Sequence, residues 1–242
     1  MKRFIALFSV FLLIPSLAHA TRTVTSPYVD EGVLKLKWKG GATHDDDSAS
    51  RDGAWSSKVG AEYGFTNFFS VEVEGDAENP GNSDDTDYAA TSVKAKMQFT
   101  DKGEGWLDAG ARLSYEANHG GGADSVEFKF IVARDDENFR HVANFILDRE
   151  VGDDSSDDSN FGFSWSSRYK WLSAFEPGFE IYSNTGAMSD GPDFEEQDHS
   201  IGPVAYGKIT DNIKYEAGYL AGFSDNASDG RFKAVLEYGI KF

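Results

Sequence analysis

RFKAVLEYGIKF, residues 231–242, alternates with a strict period of two. Phe232, Ala234, Leu236, Tyr238, Ile240 and Phe242 share one face, while Lys233, Glu237 and Lys241 share the other with Val235 and Gly239. Successive side chains of a strand point to opposite sides, so this stretch makes a surface with one apolar and one charged face. A tilted strand crosses a bilayer in about 9–11 residues, a length this stretch satisfies. Aromatic residues close both ends of its apolar face, which suits a wall between lipid and water.

The same two-faced pattern recurs upstream. Leu34, Leu36 and Trp38 oppose Lys35, Lys37 and Lys39. Trp55, Ser57, Val59, Ala61, Tyr63 and Phe65 oppose Lys58 and Glu62, and Phe69, Val71 and Val73 oppose Glu72 and Glu74. Further runs set Val93, Ala95 and Met97 against Lys94 and Lys96, and Leu113 and Tyr115 against Asp108, Arg112 and Glu116. Phe128 and Phe130 oppose Glu127 and Lys129, Phe161 to Tyr169 flank Arg168, and Tyr215 to Phe223 oppose Lys214 and Glu216. Three runs are weaker. In 139–148, Val142 and Ile146 blur the alternation, while 175–182 (with Glu176 and Glu180 inward) and 199–208 contain Pro177 and Pro203, which cannot donate to a ladder.

These runs predict an all-β fold, an antiparallel up-and-down transmembrane barrel of twelve strands, or ten if both proline-bearing runs fail. The longer connections are the acidic ones, which predicts external loops and short periplasmic turns. A soluble sandwich or lipocalin-like barrel also alternates. Aromatic residues near strand ends and strands of spanning length favour the membrane.

The chain opens with Lys2 and Arg3, an apolar run over 4–14, and Ala18-His19-Ala20. This reads as a signal peptide over 1–20, followed by a periplasmic leader over 21–31 and the barrel over 32–242. Without Lys2 and Arg3, 21 basic residues face 41 acidic ones, a balance that repels nucleic acid. With no cysteine there is neither a disulfide framework nor a thiolate metal site.

The candidate functional residues are the charges expected to line the lumen. They are Lys35, Lys37, Lys39, Lys58, Glu62, Glu72, Glu74, Lys94, Lys96, Asp108, Arg112 and Glu116, then Glu127, Lys129, Arg168, Glu180, Lys214, Glu216, Lys233 and Glu237. A hydrated lumen with charged walls selects small polar solutes. The alternative is an interior cross-linked by ion pairs that conducts nothing, since twelve strands lie between filled eight-stranded barrels and open sixteen-stranded ones. Closure of the wall would bring Lys35, Lys37 and Lys39 beside the final strand, predicting a basic stripe at the seam.

No catalytic residue, cofactor or defined metal site is expected. The acidic loops around Asp45-Asp46-Asp47, Asp153 to Asp158 and Glu195 to Asp198 lack the calcium-loop spacing and would hold divalent cations weakly at most. A barrel hydrolase would need an oriented histidine. His199 and Ser200 are adjacent, so in a strand they point to opposite faces.

The terminal strand, with Val59-Gly60-Ala61-Glu62-Tyr63-Gly64-Phe65 and Phe175-Glu176-Pro177-Gly178-Phe179-Glu180, resembles small outer-membrane β-barrel proteins of Gram-negative bacteria, in particular an uncharacterised proteobacterial group. The resemblance implies outer-membrane location and contact with lipid and lipopolysaccharide. It also implies recognition by the barrel assembly machinery through Tyr238, Ile240 and Phe242 of the last strand. Its motifs are structural and carry over no catalytic residue. A porin-like channel for small polar solutes is the leading expectation, ahead of a non-conducting surface barrel and a hydrolase.

Overall fold

The computed structural model describes residues 22–83, 85–153, 155–189 and 191–242; the expected signal peptide lies outside them. Twelve strands follow one another: β1 (Val33–His44), β2 (Trp55–Gly64), β3 (Phe69–Asn79), β4 (Asp87–Gln98), β5 (Asp108–Asn118) and β6 (Asp124–Asp135), then β7 (Phe139–Val151), β8 (Ser159–Tyr169), β9 (Glu176–Ala187), β10 (Asp198–Lys208), β11 (Ile213–Gly222) and β12 (Gly230–Lys241). Each pairs antiparallel with its sequence neighbours, and β12 returns to β1 to close the barrel. The seam runs unbroken from Val33 opposite Lys241 to His44 opposite Gly230. Closure leaves no unpaired sheet edge, which a wall in lipid requires.

Both proline-bearing runs are strands. Pro203 points outward where the β10–β11 ladder skips from Ile201–Ala221 to Val204–Gly218, so its missing N–H costs the sheet little. Pro177 lies one residue beyond the last β8–β9 pair, Arg168–Gly178. The twelve-strand expectation therefore holds, because each proline sits where a donor is dispensable.

The strands run further into the loops than alternation alone implied: β3 extends through Asn79 and β9 through Ala187. We call the barrel rim that carries Val33 and Lys241 the turn end and the opposite rim the loop end. At the turn end Asp136 accepts N–H bonds from Asn138 and Phe139, a local closure that ties β6 to β7. The 99–107 connection at this end is longer than expected and folds on Asp108, whose carboxylate accepts the Gly103 N–H.

The outer surface is apolar and the inner surface polar. Large outward side chains, among them Val59, Val93, Leu113, Phe128, Phe145 and Leu236, remain accessible although they sit mid-strand. The lysines and glutamates of the opposite face are buried or half-buried, apart from those at the rim such as Lys214. A water-soluble domain has the reverse arrangement, so the apolar belt is a lipid contact. Outward charges such as Arg134 and Arg149 sit near the rims. Among the described residues no helix is long and apolar enough to cross a membrane, so the strands do the crossing.

Twelve strands about 4.8 Å apart and tilted by about 40° close to a backbone diameter of about 24 Å. That is wide enough for long side chains from the wall and one additional extended segment. The chain supplies that segment.

Candidate functional site

The lumen is the candidate site, and one half of it is a ladder of ion pairs. Period-two alternation places Lys35, Lys37 and Lys39 of β1, Lys58 and Glu62 of β2, Glu72 and Glu74 of β3, and Lys94 and Lys96 of β4 on the inner face. Glu62 and Glu72 sit directly opposite each other across β2–β3, where like charges repel. Lys37 resolves the conflict by donating to both, at 2.7 Å to Glu72. Lys39 and Lys94 both donate to Glu74, while Lys96 pairs with Glu62 at 2.8 Å and Lys58 with Asp76 at 2.5 Å.

The seam is correspondingly different from the expected basic stripe. The three β1 lysines do face inward, but Lys37 lies opposite Glu237 and all three have carboxylate partners. Alternation predicted which face they occupy; the neutralising neighbours come from β2, β3 and the leader, and only closure brings them there.

Across the lumen, Glu180 of β9 is the hub of a second network. It accepts from Tyr206 at 2.7 Å, Tyr182 at 2.8 Å and Lys233 at 2.7 Å, and Lys233 also reaches Glu216 at 3.4 Å. Glu180 is 0% and Lys233 1% exposed, so this pair is cut off from water. Nearby, Arg168 stacks over Tyr206 and pairs with Glu176 at 3.2 Å, and Lys214 pairs with Glu237 at the turn end at 3.0 Å. Between the two networks, Arg112 and Lys129 hold Glu127 at 2.7 and 3.5 Å, and Glu116 accepts from Ser92 at 2.9 Å.

The segment before β1 runs through the lumen. From its root at the turn end, Asp30 pairs with Lys35 at 2.7 Å and the Val29 N–H donates to Gln98 at 2.8 Å. The Tyr28 hydroxyl donates to Asp108 at 2.6 Å, and Pro27 packs on Gly110, where an added Cβ would lie 3.0 Å from the proline Cβ. Midway, the Asn144 side-chain amide grips the Thr25 backbone on both sides: its oxygen accepts the Thr25 N–H and its nitrogen donates to the Thr25 carbonyl, each at 2.8 Å. Arg112 adds a bond to the Thr25 hydroxyl at 3.1 Å. At the far end the Arg22 guanidinium donates to Asp198 of β10, which also accepts from Arg231 at 3.0 Å, and lies over the Tyr182 ring.

Asp30 belongs to the turn end and Asp198 to the loop end, so residues 22–30 traverse the barrel. Eight extended steps cover about 26 Å, close to the thickness of a bilayer core. The leader therefore rises inside the wall instead of extending from the rim into the periplasm.

This placement explains the blurred alternation in β7. Val142 faces inward beside Ile131 and Ala133 of β6, and Val24 and Tyr28 of the leader pack against them. Val24 also packs against a second cluster, formed by Tyr182, Val204, Tyr206 and Leu220. Inward apolar residues suit no water-filled pore, but they suit a wall that docks a peptide segment. The sequence carried this signal as irregularity in a single strand; the segment that explains it lies some 120 positions earlier in the chain.

The predicted lumen charges lie on the inward face, where many pair with one another, while Lys35, Lys58, Asp108, Glu116 and Arg168 are held by Asp30, Asp76, Tyr28, Ser92 and Glu176. The residues missed by sequence reasoning are Asn144, Asp198, Arg231, Tyr182 and Tyr206, whose roles exist only because the leader and the opposite wall reach them. Tyr238 of the terminal strand faces outward, and Phe242 is exposed at the turn end.

The histidines lie away from this interior. His141 is stacked between Phe139 and Trp165, and His199 between Phe194 and Phe223. His119 stacks on Tyr88. Ser200 points into the lumen near Arg22, opposite to His199. At the loop end, the ligand atoms that His44, Asp46 and Asp229 offer lie within 4.8 Å of one another, all three residues being exposed. Of the flanking acids, Asp45 is buried against Arg51 at 2.6 Å.

No protein-family model and no curated protein sequence matches the chain. Solved structures do match it in fold. An outer membrane channel from Pseudomonas putida F1 is similar at TM-score 0.64 and 12% identity, covering 88% of this chain and 97% of that one. The NanC porin is similar at TM-score 0.58 and 14% identity, over 86% of this chain and 100% of that one. The KdgM porin, solved in complex with disordered oligogalacturonate, gives TM-score 0.58 and 10% identity over 84% and 98%. The chain has the fold of a small outer-membrane porin barrel.

Proposed function

We propose that the protein is a porin-like channel of the Gram-negative outer membrane, passing small polar solutes of low net charge. The observation that carries this reading is a largely polar interior inside a lipid-facing wall: lysines and glutamates of β1 to β4, β6, β9, β11 and β12 point into the lumen. A barrel needing only to span lipid could fill its interior with apolar side chains at lower desolvation cost. In this orientation the loop end faces outward and the turn end faces the periplasm.

The pairing pattern supports the solute class. The KdgM porin was solved with oligogalacturonate, an acidic oligosaccharide, which a lumen of uncompensated cations would favour. Here Lys37, Lys39, Lys94 and Lys96 are each matched by Glu62, Glu72 or Glu74. A lumen of interleaved charges presents donors and acceptors together, which suits neutral or zwitterionic polar solutes.

Planar bilayers test the reading. Purified barrel should give stepwise conductance with little preference between K⁺ and Cl⁻. A folded barrel, shown by heat-modifiable gel mobility, that stays silent both with and without its leader would refute it and leave a structural surface barrel as the alternative. Wall and loop interactions with lipopolysaccharide, and delivery by the assembly machinery through Tyr238, Ile240 and Phe242, belong to the same proposal.

A further inference from the structure

We infer that residues 22–30 are a detachable plug, and that Asn144, Arg112, Asp198 and Tyr182 form the lumen site that holds it. This inference rests on the channel reading and adds its regulation.

Three observations carry it. First, the leader is docked in the wall without being part of it. Among the described residues no backbone–backbone hydrogen bond joins 22–29 to a strand, and the first such bond to the wall is Gly32 to Gly64 at 2.8 Å. Its anchors between Arg22 and Val29 run through side chains of the wall: Asp198, Asn144, Arg112, Asp108 and Gln98. The segment can thus leave with every ladder bond of the barrel intact.

Second, the site it would vacate tolerates the departure. Asp198 keeps Arg231 when Arg22 goes, so no carboxylate is stranded. Arg112 keeps Glu127. Asn144 would lose both bonds to Thr25 and needs water in their place, so an emptied lumen is a wet one.

Third, the leader seals the interior. At its level Ile131, Asn144, Glu180, Leu220 and Lys233 are all at most 1% exposed. At its root two shallow cavities open at the turn end, one of about 290 Å³ beside Asp108 and Asp135 and one of about 220 Å³ beside Asp30 and Lys35. A solute entering from the turn end meets the leader directly.

The plugged state is therefore the closed state, and opening is withdrawal of the leader through the turn end. Arg22 acts as the latch at the far end, and Val24 as the stopper in its apolar collar.

The test compares barrels refolded from chains beginning at Thr21 and at Asp30, in planar bilayers, with heat-modifiable mobility as the check on folding. The shorter chain should carry about tenfold more mean current than the longer one. A synthetic peptide of residues 21–30, added to either chamber, should block the shorter chain, and its Arg22→Ala version should need about tenfold more peptide. If the shorter chain fails to fold, Val24→Asp in the full mature chain provides the same comparison, because a buried carboxylate in the collar expels the stopper. Equal, non-zero currents from both chains would overturn the plug and leave the channel standing. Silence from both folded barrels would overturn the channel and the plug together.

Discussion

Replacing Lys233 by Met probes the lumen from the opposite side to the leader. At 2.7 Å and an effective dielectric constant of about 20, the Lys233–Glu180 attraction is about 6 kcal/mol before desolvation is subtracted. Removing the ammonium strands a buried carboxylate, which typically costs about 3–5 kcal/mol. Glu180 would retain the hydroxyls of Tyr182 and Tyr206, so the lower end, about 3 kcal/mol, is expected. That cost depends on dryness, and the leader helps keep the region dry: Val24 packs against the cluster that contains Tyr182 and Tyr206, the two tyrosines bonded to Glu180. In a barrel beginning at Asp30, water reaches the pair and Lys233→Met should cost only about 1 kcal/mol, as for an exposed bridge. The assay is urea unfolding in micelles, followed by tryptophan fluorescence and gel mobility, in a two-by-two cycle of Lys233→Met and leader removal. A coupling of about 2 kcal/mol is expected. Equal costs in both backgrounds, within about 0.5 kcal/mol, would refute the claim that the leader shields this pair.

Asn144→Leu removes the clamp on Thr25 while keeping the branching of the side chain; single-channel records should show more frequent openings with unchanged unit conductance. The double change Glu72→Gln and Glu74→Gln leaves Lys37, Lys39 and Lys94 undercompensated, so the reversal potential in a KCl gradient should move toward anion selectivity. Asp30 gives a pH dependence. Burial acts to raise its carboxyl pKa, but Lys35, with Lys214 and Lys96 further off, outweighs burial and holds it below the ordinary carboxylate range. A depressed folded-state pKa contributes anchoring in full above about pH 4 and loses it as pH falls through the lowered value. Acidification should therefore increase opening, and Asp30→Asn should remove that part of the increase; an identical acid response in both proteins would count against Asp30 as the root of the leader.

Residues 231–242 already show the logic that makes the wall legible. Period-two alternation is local, so Phe232, Leu236 and Tyr238 declare one face and Lys233 and Glu237 the other without knowledge of any neighbour. Repeated along the chain, this pattern determined the barrel, its strands, and the inward side of each predicted lumen charge. Which side a residue faces is set by its own backbone, and that information is present in a single strand.

What fills the lumen required the tertiary structure. Glu180 and Lys233 are 53 residues apart, and Thr25 and Asn144 are 119 apart. Nothing in strand periodicity says which inward charges meet once the sheet curls, and residues 22–30 lack any period that would mark them as structured. Val142 looked like a flaw in a strand because the residue that explains it, Val24, reaches it only after the barrel has closed around the leader. Alternation along the chain determined a wall with a polar inside; closure decided how those polar groups pair and placed the chain's own leader among them.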